Sequence, residues 1–165
     1  MTEEERLFDF GCRFEETMRW LYATAASEVT DPRAAEVLGQ LARAEAEHLA
    51  ALEELFGNRL EDKRWSRPLG SYVRAHVLKT AAPRISSDDA AAVLKTAYAL
   101  EVGSGKFYRR WRERNEDSDL DEVLTWFIEA ESRHRGWVSQ CHEELVGTPL
   151  ADEGLDTELV EWPEL

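Results

Sequence analysis

Apolar residues recur at alternating steps of three and four along four long stretches of the chain, which predicts four amphipathic α-helices. The stretches run from about 3 to 27, from about 32 to 56, from about 87 to 115 and from about 118 to 147. Asp31 and Pro32 are typical of a helix start, and Gly147 is typical of a helix end. The sequence therefore predicts an all-α domain over 1–147 and an acidic tail over 148–165.

The lengths of the connections predict how these helices are arranged. Two connections are short, at 28–31 and 115–118, and short links join neighbouring helices into antiparallel hairpins. A helix of about 26 residues is about 39 Å long. The remaining connection, at about 57–87, has enough residues to run along the whole bundle. We therefore expect a four-helix bundle made of two antiparallel hairpins that a long crossover joins.

Charged residues interrupt the apolar faces at matching positions. The first and third helices each carry a glutamate followed two turns later by a tyrosine, and the second and fourth each carry a glutamate and a histidine three residues apart. These residues are Glu15, Tyr22, Glu45, His48, Glu101, Tyr108, Glu131 and His134. Burying one unpaired carboxylate costs several kcal/mol, whereas a whole protein is stable by only about 5–15 kcal/mol. No Lys or Arg shares these faces, so a metal is the expected counter-charge.

An internal repeat strengthens the metal hypothesis. Each of the four polar residues in the first half has a counterpart of the same type 86 residues later. Glu16 and Glu47 instead meet Val102 and Arg133 at this offset, so their neighbours are the favoured ligands. Two Glu-x-x-His pairs with two further glutamates form the ligand set of carboxylate di-iron and di-manganese bundles. Four carboxylates balance two divalent ions, and carboxylate with imidazole suits iron or manganese, with zinc also possible.

The chain resembles the ferritin-like superfamily and, within it, the rubrerythrin-like branch. The resemblance is carried by Glu15 with Leu21-Tyr22, by Glu45-Ala-Glu-His48, by Glu101 with Phe107-Tyr108 and by Glu131-Ser-Arg-His134, and it spans about 7–146. It implies a ferritin-like bundle with a non-haem di-iron centre that reduces hydrogen peroxide or dioxygen. The implied roles are terminal ligation by Glu15 and Glu101, bridging by Glu45 and Glu131, ligation of one metal each by His48 and His134, and orientation of carboxylates by Tyr22 and Tyr108.

Two departures from that family change what the resemblance implies. The chain has no paired Cys-x-x-Cys motifs, which form the rubredoxin domain of typical rubrerythrins, so an external electron-donor protein is expected. Ser104 stands where rubrerythrins carry an additional glutamate that is linked to their preference for peroxide. The resemblance therefore leaves both peroxide and dioxygen as oxidants.

Composition limits the partners and the compartment. A formal charge of -14, from 20 basic and 34 acidic residues, argues against a nucleic-acid partner. No stretch approaches the roughly 20 apolar residues of a membrane span, and the acidic start MTEEERLFDF is unlike a secretory signal. Two cysteines, Cys12 and Cys141, are too few for a disulfide framework. We expect a cytoplasmic protein, and a homodimer, because long bundles with exposed aromatic residues commonly pair.

Other interpretations of the same residues stay open. The chain could be a ferroxidase that stores iron inside a shell, a scaffold in which a metal such as zinc only joins the helices, or a di-manganese catalase-like enzyme. Tyr22 and Tyr108 could be plain core aromatics. The six tryptophans are interpreted as packing and interface residues.

Overall fold

The structure, a computed structural model, describes residues 2–57, 85, 88–155, 159–160 and 162. Its helices are Glu3–Glu28 (α1), Pro32–Gly57 (α2), Ala90–Arg114 (α3) and Ser118–Val146 (α4), and the described residues contain no strand. Within the described residues, the predicted all-α class and its four long helices are confirmed. The predicted crossover at about 57–87 lies outside the described residues, apart from Gly57 and Ile85.

Side-chain caps set the ends of the helices. The hydroxyl of Thr2 accepts the backbone N–H of Glu5 at 3.1 Å, and the Glu5 carboxylate accepts the backbone N–H of Thr2 at 2.6 Å. Asp89 and Asp117 accept backbone N–H groups from the first turns of α3 and α4. Gly147 follows α4 with a φ of 82°, a left-handed conformation that glycine adopts without penalty. The predicted stop at Gly147 is therefore confirmed.

Two apolar clusters at opposite ends of the bundle show the direction of each helix. One cluster joins Phe8 near the start of α1, Phe56 at the end of α2, Trp111 near the end of α3 and Leu120 near the start of α4. The other joins the ends of α1 and α4 with the starts of α2 and α3. It follows that α1 and α4 run in one direction while α2 and α3 run in the other, and that each hairpin is antiparallel.

Between these clusters lies a layer of buried polar side chains. Within the bundle α1 packs on α2 and α3 on α4, while α2 also contacts α4 and α1 also contacts α3. The buried polar residues of the middle layer are Glu15, Glu45, His48, Glu101, Ser104, Glu131 and His134. Apolar packing on both sides of the layer keeps water away from these groups.

The chain that follows α4 packs back on the bundle. The hydroxyl of Tyr98 donates a hydrogen bond to the carboxylate of Asp152 at 2.8 Å, and the side chain of Leu159 is buried. The indole of Trp162 lies directly over Gly103 of α3, where an added Cβ would come within 2.6 Å of it. The absence of a side chain at Gly103 therefore permits this approach.

None of the described helices is both long enough and apolar enough to cross a membrane.

Candidate metal centre

All six predicted ligands meet in the middle of the bundle. Each is at most 2% exposed. Their positions are Glu15 on α1, Glu45 and His48 on α2, Glu101 on α3, and Glu131 and His134 on α4. In α2 and α4 the spacing of three residues places the glutamate and the histidine on the same face of the helix. The structure thus brings together all six residues that the sequence singled out as ligands.

The ligand atoms form two groups of four that overlap. Within each group, one atom from every residue lies within 4.8 Å of the others. The first group is Glu15, Glu45, His48 and Glu131, and the second is Glu45, Glu101, Glu131 and His134. Glu45 and Glu131 belong to both groups, whereas each remaining residue belongs to one. These buried residues could hold a metal ion.

His48 contacts three carboxylates of the first group. Its Nδ1 lies 3.1 Å from Glu45 Oε2, 3.4 Å from Glu15 Oε2 and 3.5 Å from Glu131 Oε1. A single nitrogen therefore faces carboxylate oxygens from three different helices. This convergence is typical of a shared binding position rather than of a simple ion pair.

His134 has the corresponding position in the second group. Its Nδ1 lies 3.0 Å from Glu101 Oε2, 3.6 Å from Glu131 Oε2 and 3.7 Å from Glu45 Oε1. Burial lowers the pKa of His134, but its hydrogen bond to Glu101 and the negative charges of Glu101 and Glu131 outweigh burial, and the pKa rises to about 10. The imidazolium is thus a counter-charge that a metal would have to replace.

The four carboxyl groups divide into two electrostatic types. Burial alone would raise the pKa of Glu15 and of Glu101. Hydrogen bonds and the histidine charges outweigh burial, so the pKa of Glu15 lies below its ordinary value and that of Glu101 falls to about 2. Burial raises the pKa of Glu45 and of Glu131 well above the ordinary value, and the negative charges of the other glutamates add to this rise. The two residues that both groups share are therefore the ones that hold protons most tightly.

Each tyrosine supports a carboxylate of the other hairpin. The hydroxyl of Tyr22 on α1 donates to Glu101 on α3, and the hydroxyl of Tyr108 on α3 donates to Glu15 on α1. Both tyrosines are fully buried. Burial and the nearby glutamate charges raise the pKa of both phenols well above the ordinary value, so that they act as hydrogen-bond donors. This crossed arrangement links the two halves of the repeat.

One hydrogen bond breaks the symmetry of the repeat. The hydroxyl of Ser104 donates to Glu131 Oε1 at 3.0 Å. The position 86 residues earlier is Met18, which has no hydroxyl, so Glu45 has no equivalent donor. Sequence reasoning noted Ser104 only as the site of a missing glutamate, because a serine among apolar residues gives no sign of the carboxylate it contacts.

Two buried carboxylate oxygen atoms indicate whether a cation fits among these residues. Glu15 Oε2 and Glu131 Oε2 are inaccessible to solvent and accept no hydrogen bond. Within the described residues, the basic groups within ion-pair distance of the four carboxylates are the two histidines. Unsatisfied carboxylate oxygens that converge with imidazole nitrogens are the donors that iron, manganese and zinc accept. The residues present therefore fit a metal.

Several other residues that the sequence analysis named belong to neither ligand group. Glu47 is exposed and Glu16 is half-buried, and neither belongs to a ligand group. Cys12 is buried, and burial together with nearby carboxylates raises its pKa to about 12, which keeps it a neutral thiol. Cys141 is also buried. His142 is 2% exposed and its Nδ1 lies 2.7 Å from the carbonyl oxygen of Thr148, a structural position.

Comparison with known proteins adds no family assignment. No protein-family model matches the chain, and no curated protein or solved structure matches it significantly. The resemblance to rubrerythrins therefore depends on the sequence motifs alone.

Proposed function

We propose that this chain is a non-haem di-iron oxidoreductase of the rubrerythrin type, which reduces hydrogen peroxide or dioxygen with electrons from an external donor protein. The observation that carries the proposal is the overlap of two ligand groups through Glu45 and Glu131. Two sets of the same composition that share two carboxylates suit two neighbouring ions bridged by those carboxylates.

The ligand roles follow from membership of the two groups. Glu45 and Glu131 would bridge the ions because they belong to both groups. The residues that would bind one ion each are Glu15 and His48 in the first group and Glu101 and His134 in the second. Bound ferrous ions would supply the two electrons that reduce the oxidant.

The protein's own residues would orient the ligands and exclude water. Tyr22 and Tyr108 hold the two terminal carboxylates in place. The ring of Phe127 lies 4.6 Å from that of His48 and 4.7 Å from that of Tyr108, so an apolar wall covers the centre towards the end where α4 begins. Fixed carboxylates in a dry site bind a cation more strongly than carboxylates in water.

Anaerobic titration with ferrous iron, followed by peroxide or dioxygen, tests the proposal. We expect binding to saturate near two ions per chain, as the two groups imply, and rapid oxidation when the oxidant is added. Uptake far beyond this number would instead indicate iron storage, and size-exclusion chromatography would then show a large shell rather than the expected dimer. Tight zinc binding without iron oxidation would support a structural metal.

Matched variants separate the centre from the acidic surface. Changing Glu45 and Glu131 together to Ala should abolish binding, because both groups lose their shared ligands. Changing Glu16 and Glu47 together to Ala removes the same formal charge outside the ligand groups and should leave the stoichiometry unchanged. If the first double variant still holds two ions, the assignment of the site is wrong.

A further inference from the structure

Four aromatic rings form a continuous row across the candidate metal centre. The ring centroids of Trp126 and His48 are 5.2 Å apart, those of His48 and His134 are 5.4 Å apart, and those of His134 and Trp137 are 5.0 Å apart. The row thus passes from one indole, through both histidines of the centre, to a second indole. It lies where α2 meets α4.

Both ends of this row reach solvent while its middle does not. Trp126 is 37% exposed and Trp137 is 38% exposed, whereas His48 and His134 are almost fully buried. The third exposed tryptophan, Trp20 on α1, is 51% exposed and has no ring contact within the described part of the chain. Contact with a buried histidine therefore distinguishes Trp126 and Trp137 from a tryptophan that is merely exposed.

The row is not a by-product of the internal repeat. The positions 86 residues before Trp126 and Trp137 are Gln40 and Ala51, so the repeat has no indole at the matching positions of its first half. Both tryptophans lie on α4, on the side of the centre that faces α2. The two indoles therefore mark a single side of the bundle.

We propose that Trp126 and Trp137 relay single electrons from a donor in solvent, across the rings of His48 and His134, to the metals that the centre would hold. This inference rests on the proposed function, because it needs a centre that consumes electrons. The six ligands are at most 2% exposed, so a donor protein cannot touch them directly. Indole is among the most readily oxidised side chains, and the row places one indole in ring contact with each histidine.

Each transfer balances in electrons and protons. While peroxide is being reduced, the indole gives up one electron, across the ring of its histidine, to the oxidised metals that the centre would hold, and it releases its Nε1 proton to solvent. A one-electron donor in solution then returns an electron to the indole radical, which regains a proton. Reduction of one hydrogen peroxide to two waters takes up two such electrons and two protons from solvent, and the donor is oxidised twice.

The test uses the iron-loaded full chain and reads each step separately. The variants are Trp126→Phe, Trp137→Phe and their combination, with Trp20→Phe as the matched control. Iron binding and its oxidation by peroxide are followed first. Reduced methyl viologen then serves as the one-electron donor, and the rate at which the oxidised protein is reduced again is measured. Separately, peroxide is added without a donor, and tryptophan radicals and oxidised residues are detected by electron paramagnetic resonance and peptide mass spectrometry.

We expect the double Phe variant to be reduced again at least about tenfold more slowly, which corresponds to about 1.4 kcal/mol on the barrier. Trp20→Phe should behave as the wild type, and oxidised residues should appear at Trp126 and Trp137 but not at Trp20. Replacing the two tryptophans by Tyr should restore part of the rate, because a phenol can be oxidised and a phenyl ring cannot. Partial rescue would exclude a purely structural role.

Two results would overturn the relay, and they differ from each other. If iron is oxidised normally but the double Phe variant is reduced again at the wild-type rate, the relay is wrong and the proposed function stands. If the wild type binds no iron, or does not oxidise it, the proposed function and the relay fail together. Unfolding temperatures of the variants, measured before loading, show whether any slow rate reflects damaged packing.

Discussion

The change Glu45→Gln should have opposite effects on the protein with and without metal. Without metal, burial and the charges of Glu101, Glu15 and Glu131 raise the pKa of the Glu45 carboxyl well above its ordinary value, which favours its neutral form. Glutamine has the same shape and is also neutral, so the metal-free variant should unfold at or above the wild-type temperature. With metal, the variant lacks a ligand that both groups share.

The size of the loss follows from linkage. An ion present at about 100 times its dissociation constant stabilises the folded state by about 2.7 kcal/mol, so two independent ions give about 5.4 kcal/mol. In a chain of this length, each kcal/mol moves the unfolding temperature by about 2–4 °C. Metal should therefore raise the wild-type unfolding temperature by about 10–20 °C. Glu15→Gln should keep roughly half of this rise, because Glu15 belongs to one group, whereas Glu45→Gln should lose most of it.

Differential scanning calorimetry with anaerobic ferrous iron measures these differences. Glu47→Gln is the matched control, since Glu47 lies on the same helix and is exposed. Its unfolding temperature should rise with metal as the wild-type temperature does. The reasoning is refuted if metal stabilises Glu45→Gln as much as the wild type, or if the metal-free variant is markedly less stable.

Three further predictions concern pH, the tyrosines and the tail. The raised pKa of His134, about 10, contributes folding stability that is complete below pH 6.5 and is lost as the pH rises towards 10. Urea unfolding of the metal-free protein at several pH values should show this decline. A free energy of unfolding that does not change with pH would contradict it. Tyr108→Phe removes the hydrogen-bond donor to buried Glu15 and should lower the free energy of unfolding of the metal-free protein by about 1–3 kcal/mol. Tyr98→Phe, which removes the donor to Asp152, is the control and should lower it by less. Gly103→Ala should cost about 1–3 kcal/mol of folding stability because its Cβ would overlap Trp162. Gly136→Ala meets open space and should stabilise the protein by up to about 1 kcal/mol. If Gly103→Ala and the wild type unfold at the same urea concentration, Trp162 does not pack there.

Much of the fold could be predicted because local signals agree with one another. Each predicted helix boundary lies within about three residues of the observed one, as expected where a cap residue marks the end. Asp31 and Gly147, which the sequence marked as helix ends, act through hydrogen bonds or backbone angles that each residue type favours by itself. The meeting of the six polar residues was also predictable, because helical periodicity placed every one of them on an inward face.

The contacts between side chains of different helices could not be predicted from the same pattern. Nothing in the sequence shows that Tyr22 reaches Glu101 rather than a residue of its own hairpin, since that depends on how the two hairpins pack. The positions of Trp126 and Trp137 likewise depend on the contact between α2 and α4. The sequence alone supports only the interpretation of all six tryptophans as packing and interface residues.

The crossed tyrosines have a consequence for how the molecule folds. Each helical hairpin carries a glutamate whose phenol donor belongs to the other hairpin, as Glu15 does with Tyr108. A hairpin that forms alone can shield its apolar side, but it leaves this carboxylate without its donor. We therefore expect the two hairpins to become stable together rather than in sequence, so that assembly of the centre and completion of folding are one event.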